Sequence, residues 1–136
     1  MDEAKNRGRT LRFKPLSDAE IFAVAQRMMC KEKAYLAPRL TMETMAAHIG
    51  VHRNSFSRAV NHYTGVSFPT WLATLRMAEA DRLLHEEKDK PTVSSIVSRA
   101  GFSSRTSYYR AVQKVAGLPA SLLKGLKLNK KQINND

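Results

Sequence analysis

Residues 58–65, RAVNHYTG, are followed 52 positions later by a second copy, residues 110–117, RAVQKVAG, in a chain of 136 residues. Each copy begins Arg-Ala-Val and ends in glycine, and a further glycine, Gly50 or Gly101, precedes each arginine by eight or nine residues. Each copy thus has a glycine, then a helix-length stretch with a basic residue, then a second glycine. This order is typical of a turn followed by a helix that ends at its C-terminal glycine. The repeat therefore predicts the same helical unit twice.

A short amphipathic helix is predicted in front of each glycine turn, with Thr41 and Thr92 as the capping residues. The helix after the first turn is expected over about residues 52–64. The helix after the second turn is expected to begin at a Ser103 cap and to stop at Gly117. Two helices joined by such a turn form a helix-turn-helix, in which the second helix enters the major groove of DNA.

The remaining segments complete an all-α fold, since no segment alternates apolar and polar residues in the manner of a strand. Ser17 and Glu20 form a capping-box pattern at the start of an extra N-terminal helix. Ser67 is the predicted cap of a long linker helix, and a last helix is expected over residues 120–126. The predicted organisation is a basic leader or linker at 1–16, an N-terminal helix at 17–36, a first helix-turn-helix lobe at 37–66, a linker helix at 67–87, a second lobe at 88–126 and a basic tail at 127–136.

Positive charge is concentrated in two acid-free stretches. The chain has 23 Lys and Arg against 12 Asp and Glu, a formal net charge of +11. Residues 44–78 contain no acid, and residues 90–135 contain none against nine Lys and Arg. Charge segregated in this way attracts polyanions, so nucleic acid is the favoured partner. A solvated basic surface is the alternative on charge alone.

The outward sides of the two second helices carry side chains suited to base recognition. Arginine pairs with guanine O6 and N7, and asparagine with adenine N6 and N7. Asn54 and Arg58 are four residues apart and so share a helix face, as do Arg105 and Tyr109. The alternative is that these arginines are surface residues or members of intramolecular ion pairs. The candidate DNA contacts are Arg53, Asn54, Ser57, Arg58, Arg76, Ser104, Arg105, Thr106, Tyr109, Arg110 and Lys114.

Beyond the repeat, a series of sequence motifs follows a fixed order and spacing over about 90 residues. They are Ala46-Ala47-His48-Ile49-Gly50, Phe56-Ser57-Arg58, Tyr63-Thr64-Gly65-Val66-Ser67-Phe68, Leu75-Arg76-Met77-Ala78-Glu79-Ala80-Asp81-Arg82-Leu83-Leu84, Thr92-Val93-Ser94-Ser95-Ile96-Val97 and Gly101-Phe102-Ser103-Ser104. With these motifs the stretch from about Tyr35 to Leu123 resembles the C-terminal DNA-binding domain of the AraC/XylS transcription regulators. The resemblance implies two three-helix lobes joined by one long helix, residues 67–86.

The same resemblance assigns roles to individual positions. It implies base contacts in the first lobe at Asn54, Ser57 and Arg58. In the second lobe it implies base contacts at Arg105, Thr106, Tyr109 and Arg110. Arg53 and Lys114 would contact phosphate.

The chain departs from the family pattern in two places. The family usually has Ser or Thr where His52 stands, so a poorer cap is expected there. The second lobe usually ends Phe-Lys-x-x-Phe-Gly-x-Thr-Pro, whereas residues 112–120 read VQKVAGLPA. The smaller apolar residues predict a less fully packed second lobe.

Other chemistries have little support. No HExxH, CxxC or EF-hand spacing and no glycine-rich phosphate loop occurs, so no metal, cofactor or enzymatic activity is expected. Cys30 is the single cysteine, which excludes an internal disulfide and favours the cytoplasm. Because it follows Met28 and Met29, its side chain is expected to be packed rather than to act as a nucleophile. No apolar run approaches the ~18 residues that cross a membrane, and the N-terminus lacks an apolar signal region.

The expected function is sequence-specific binding of double-stranded DNA by a bacterial transcription regulator, across two successive major grooves. One alternative is a protein that binds any DNA or RNA through charge, and another is a basic bundle that docks an acidic protein. The resemblance also implies an upstream sensor domain, absent from this chain, as a partner, and RNA polymerase is a candidate for the acidic partner. The chain would then be an excised output domain or a stand-alone regulator.

Overall fold

A computed structural model describes residues 15–86 and 92–118, and every regular element in these two ranges is helical. The α-helices are α1 (Asp18–Gln26), α2 (Met42–Ile49), α3 (Arg53–Thr64), α4 (Phe68–Glu86), α5 (Val93–Arg99) and α6 (Arg105–Ala116). A π-helical turn, Arg27–Lys31, and a short 3-10 helix, Ala34–Leu36, lie between α1 and α2. The predicted all-α fold with two helix-turn-helix units and a long joining helix is confirmed. The expected helix at 120–126, most of the leader and the tail lie outside the described residues.

The N-terminal helix begins as predicted but does not continue to Leu36. The capping box is present, with the Glu20 amide donating to Ser17 Oγ at 3.1 Å and the Ser17 amide donating to Glu20 Oε1 at 2.8 Å. The helix then widens into the π turn, and Lys33 takes a left-handed conformation with φ of 56°. The wider turn places Met29 in the core and turns Cys30 to the surface. The expectation that Cys30 is packed was therefore wrong.

Side chains cap the helices of both helix-turn-helix units. The His52 ring accepts a hydrogen bond at Nδ1 from the Asn54 amide at 3.0 Å, so histidine does cap α3 despite its low rank as a capping residue. In the second unit Ser104, rather than Ser103, is the cap, and its Oγ accepts from the Ser107 amide at 3.1 Å. Gly50 and Gly101 both have positive φ, 88° and 97°, as the tight turns require.

The apolar side chains of the described residues form two separate cores. The first joins α1, α2, α3 and the start of α4 around Phe56 and Phe68, whose rings meet edge to face at 5.3 Å. The second joins the rest of α4 to α5 and α6, with Val115 fully buried at its centre. Among the largest fully buried side chains, Val115 is the one that belongs to the second core, whose larger members Phe102, Met77 and Leu83 each keep a small exposed fraction.

Helix α4 belongs to both lobes. Its 19 residues make a rod of about 28 Å at about 1.5 Å per residue. Phe68, Trp71 and Leu72 enter the first core, whereas Met77 and Leu83 enter the second. The helix therefore connects the two helix-turn-helix units and sets their distance. None of the helices in residues 15–86 and 92–118 is long and apolar enough to cross a membrane.

Candidate nucleic-acid interface

Helix α3 presents a polar face to solvent because its apolar face is fixed in the first core. Phe56, Ala59 and Val60 are buried. The predicted DNA contacts Arg53, Asn54 and Arg58 are exposed, and Ser57 is partly exposed. These four side chains occupy the first turn and a half of the helix, the part that enters the major groove in helix-turn-helix proteins.

Arg58 is paired with a carboxylate that the sequence did not connect to it. Its Nη2 lies 3.2 Å from Asp18 Oδ1, and its Nε donates to the two carboxylate oxygens at 3.3 and 3.4 Å. The Arg58 side chain is 63% exposed, so the pair contributes at most about 1 kcal/mol to stability. A phosphate or a guanine edge can therefore replace Asp18 at small cost.

Helix α1 is held against α3 by aromatic packing, which fixes the position of Asp18. The Phe22 ring stacks on Tyr63 with ring centroids 5.1 Å apart and an interplanar angle of 15°. Phe22 also lies 5.4 Å from the Trp71 ring of α4. The N-terminal helix is therefore an integral part of the first lobe and lies beside the recognition helix.

Arg53 also has an acidic neighbour. Its Nη1 lies 3.7 Å from Glu43 Oε2 of α2, and both side chains are more than half exposed. This is a loose contact between solvated groups, of little energetic weight. The alternative that the arginines make intramolecular ion pairs thus holds geometrically for Arg53 and Arg58, but neither pair buries its arginine.

Helix α6 presents a second exposed polar face, with no acid between residues 90 and 135 of the sequence. Ala111 and Val115 are buried against α4 and α5. The predicted contacts on this helix are all exposed: Arg105, Thr106, Tyr109, Arg110 and Lys114. Tyr109 is 49% exposed and its ring lies 5.2 Å from that of Tyr108, so a large aromatic group stands at this surface.

Ser104 is the predicted contact whose hydroxyl has a structural partner in this lobe. Its Oγ caps α6 and also lies 3.0 Å from Ser107 Oγ. A hydroxyl can still donate or accept a further hydrogen bond while it caps a helix. Ser104 thus stays at the exposed end of α6 and fixes where the helix begins.

A cleft between α4 and α6 collects positive charge at the junction of the lobes. It has a volume of about 250 Å³ and is lined by Arg110 and Lys114 of α6 and by Leu72 of α4, with Phe102 from the turn before α6. The two cationic side chains are exposed, whereas Leu72 and Phe102 are buried. Arg110 and Lys114 therefore stand on the side of α6 that faces the first lobe.

Arg76 also lines this cleft, and it is the predicted DNA contact whose side chain holds the backbone of the chain itself. Its Nε donates to the Tyr35 carbonyl and its Nη2 to the Ala37 carbonyl, both at 2.7 Å. Burial lowers the pKa of its guanidinium, which stays charged at neutral pH. These bonds to the backbone of the chain itself give Arg76 a structural role, and its contact with DNA stays a prediction.

Sequence reasoning missed Asp18 and Glu79. Asp18 lies between the two residues of the capping box, and 40 residues separate it from Arg58. Glu79 is 8% exposed, and Arg82 donates to its two carboxylate oxygens at 2.9 and 2.7 Å. These hydrogen bonds lower the pKa of Glu79. The three-residue spacing of Glu79 and Arg82 on one helix was a signal that could have predicted this pair.

Comparisons with known proteins agree with this arrangement. A family model described as a helix-turn-helix domain matches residues 45–124. The chain is 34% identical over 77 residues to the regulatory protein PocR of Salmonella typhimurium, covering 56% of this chain and 24% of PocR. It is 33% identical over 89 residues to the uncharacterized HTH-type transcriptional regulator YobQ of Bacillus subtilis, covering 65% of this chain and 36% of YobQ.

A solved structure shows the same fold. The C-terminal domain of AraT, a response regulator from Geobacillus stearothermophilus, superposes with a TM-score of 0.60 at 22% sequence identity. The superposition covers 85% of this chain and 84% of that domain. The chain therefore spans about a quarter to a third of the two relatives matched by sequence, and most of the C-terminal domain of AraT.

Proposed function

Because the chain belongs to the AraC-type helix-turn-helix family of transcription regulators, we propose that it binds double-stranded DNA sequence-specifically, with α3 and α6 in two successive major grooves. The observation that carries the proposal is the pair of exposed polar faces, one on each of two helix-turn-helix units joined by the rod of α4. A rod of about 28 Å is close to the ~34 Å that separates adjacent major grooves on one side of B-DNA.

The proposed contacts divide by chemistry. Asn54, Ser57 and Arg58 of α3 face bases in one groove, and Arg53 contacts phosphate. In the other groove Arg105, Thr106, Tyr109 and Arg110 of α6 face bases, whereas Lys114 contacts phosphate and Ser104 marks the start of the helix. Because the two sets differ, the site should consist of two unlike half-motifs. Phosphate contacts supply affinity and register, and base contacts supply specificity.

The partners of the whole protein are part of the proposal. The relatives matched by sequence are longer than this chain, so a sensor domain that controls the DNA-binding unit is proposed as a partner. RNA polymerase is the proposed protein target, because a transcription regulator acts by recruiting or excluding it. This function places the protein with the DNA in the bacterial cytoplasm.

Replacing either central arginine should relax specificity at one position of the site. Arg58→Ala and Arg110→Ala are each expected to reduce discrimination at a different base pair by about 1–3 kcal/mol, the usual value of a bidentate contact to guanine. Lys114→Ala should instead weaken binding to specific and random duplexes by the same factor. Fluorescence anisotropy with a selected duplex, its single-base variants and a random duplex measures these quantities.

Asp18→Asn is the matched control for Arg58. It removes the ion pair but leaves the guanidinium, so base discrimination should be retained and overall affinity should rise slightly with the loss of an acid near DNA. If Asp18→Asn reproduces the loss of discrimination, Arg58 acts through α1 rather than on a base. If Arg58→Ala weakens specific and random duplexes equally, Arg58 is a phosphate contact and its assignment to a base is wrong.

A further inference from the structure

The two lobes share little apolar contact in the described residues. The last buried residue of the first core on α4 is Leu72 and the first of the second core is Ala73, while the partly buried Leu75 packs against the first core. Leu118 is the partly buried side chain that packs against both cores. Since the cores are not merged, hydrophobic packing alone leaves the angle between the lobes weakly defined, and other contacts at the junction must fix it.

The turn of the second helix-turn-helix lies directly against the chain that precedes the first. A Cβ added at Gly101 would lie closer to the Tyr35 carbonyl oxygen than van der Waals contact allows, and 3.0 Å from Leu36 Cα. Both neighbours are backbone atoms, which cannot move aside as a flexible side chain can. Glycine is therefore needed at position 101 for two reasons. It permits a backbone-to-backbone contact between the lobes, and its φ of 97° is one that other residues rarely adopt.

Arg76 crosses the same junction. Its two hydrogen bonds hold the backbone at Tyr35 and Ala37, on the side of the first lobe. Its guanidinium carbon lies 6.0 Å from the ring centroid of Phe102, which belongs to the second core. One planar side chain thus contacts both lobes, and a lysine could not reproduce the two directed hydrogen bonds together with the contact to the ring face.

Further along α4, a charged cluster lies at the same junction. Glu79 and Arg82 follow Arg76 at spacings of three residues, so the three side chains lie close together along the helix. The hydrogen bonds of Arg82 are the main cause of the lowered pKa of Glu79, and Lys33 and Arg99 also lower it by charge. Lys33 lies between α1 and α2 in the first lobe and Arg99 ends α5 in the second, so charges from both lobes face this carboxylate.

We propose that Arg76 and Gly101 form an inter-lobe clamp that fixes the separation and angle of α3 and α6, and so determines the half-motif spacing that the protein accepts. The proposal rests on the two-groove function above and gives Arg76 a positioning role in specificity rather than a contact with DNA. A rigid pair of lobes binds one spacing strongly, because the freedom of one lobe relative to the other is already restricted before binding. A loosened pair accepts several spacings and binds each less well.

The test is a spacing profile. Affinity is measured for the selected site and for duplexes in which one or two base pairs are added to or removed from the gap between the half-motifs. Arg76→Lys and Gly101→Ala are expected to lower the ratio of affinities for the optimal and altered spacings by about tenfold. Affinity for a duplex that carries one half-motif should change less than about twofold, because the clamp leaves the faces of α3 and α6 unaltered.

Gly50→Ala is the matched control, because Gly50 has a similar φ of 88° but a Cβ there meets no atom within 4 Å. It strains a turn without touching the junction, so its spacing profile should match that of the wild type. Circular dichroism and thermal unfolding establish that each variant is folded. Arg76→Lys introduces no clash and decides the matter if Gly101→Ala does not fold.

Three outcomes would overturn the clamp. Folded Arg76→Lys that retains the wild-type profile would show that Arg76 does not set the spacing. A Gly50→Ala profile as broad as that of Gly101→Ala would assign the effect to turn strain. A wild-type protein that prefers no spacing would remove the two-groove function itself, and that result is visible before any variant is examined.

Discussion

Inserting five base pairs between the two half-motifs of a selected site is expected to lower specific affinity at least about 100-fold, since the second lobe then contributes nothing. Five base pairs are half a helical turn, so the second half-motif moves to the opposite side of the duplex. Helix α4 is continuous from Phe68 to Glu86 and cannot reach around it. Anisotropy titration at one protein per duplex measures the loss.

The control is the same five base pairs inserted outside the site, which changes duplex length but not the relation of the half-motifs. Affinity for this duplex should equal that for the original. If the internal insertion leaves affinity unchanged, one lobe alone contacts DNA. The other lobe would then serve a different purpose.

Binding should also depend steeply on salt. The motivation is the net charge of +11 and the two acid-free stretches, which place cations on both recognition helices. If ~6–10 phosphates are neutralised, affinity should fall ~10³–10⁵-fold between 50 and 200 mM salt, because the Lys and Arg side chains release condensed counterions from the duplex when they bind. The measurement is a titration of a selected duplex at four or more salt concentrations.

The slope also separates the clamp from the DNA contacts. Lys114→Ala removes one proposed phosphate contact and should lower the slope of log affinity against log salt by about 1. Arg76→Lys keeps the charge and should leave the slope unchanged. A flat salt response of the wild type would argue against duplex binding altogether.

The helices and their order were predictable because local signals were strong. Thr41 and Thr92 cap the helices that their positions indicate, and Gly50 and Gly65 are both left-handed as the repeat requires. The end of α6 differs, since Gly117 takes a right-handed conformation and stops the helix without a left-handed residue. The π turn before Lys33 was not predictable, because no pattern of apolar residues distinguishes it from one more α-helical turn.

The exposed faces of α3 and α6 were predictable from helical spacing, but the partners of their arginines were not. Asp18 and Arg58 lie 40 residues apart, and Arg76 and Tyr35 lie 41 apart. An arginine in an acid-free stretch has the same appearance in sequence whether it faces DNA or a backbone carbonyl. Only tertiary packing distinguishes Arg76, whose Nε and Nη2 donate to backbone carbonyls, from Arg58, whose neighbour is a carboxylate.

Selection of bound duplexes from a random library tests the central claim most directly. We expect enrichment of one asymmetric site with two unlike half-motifs about 10–10.5 base pairs apart, centre to centre. Mutating either half-motif should lower affinity toward that of random duplex. A library in which no sequence is enriched, while affinity stays high and salt-dependent, would contradict the account and establish a protein that binds nucleic acid through charge alone.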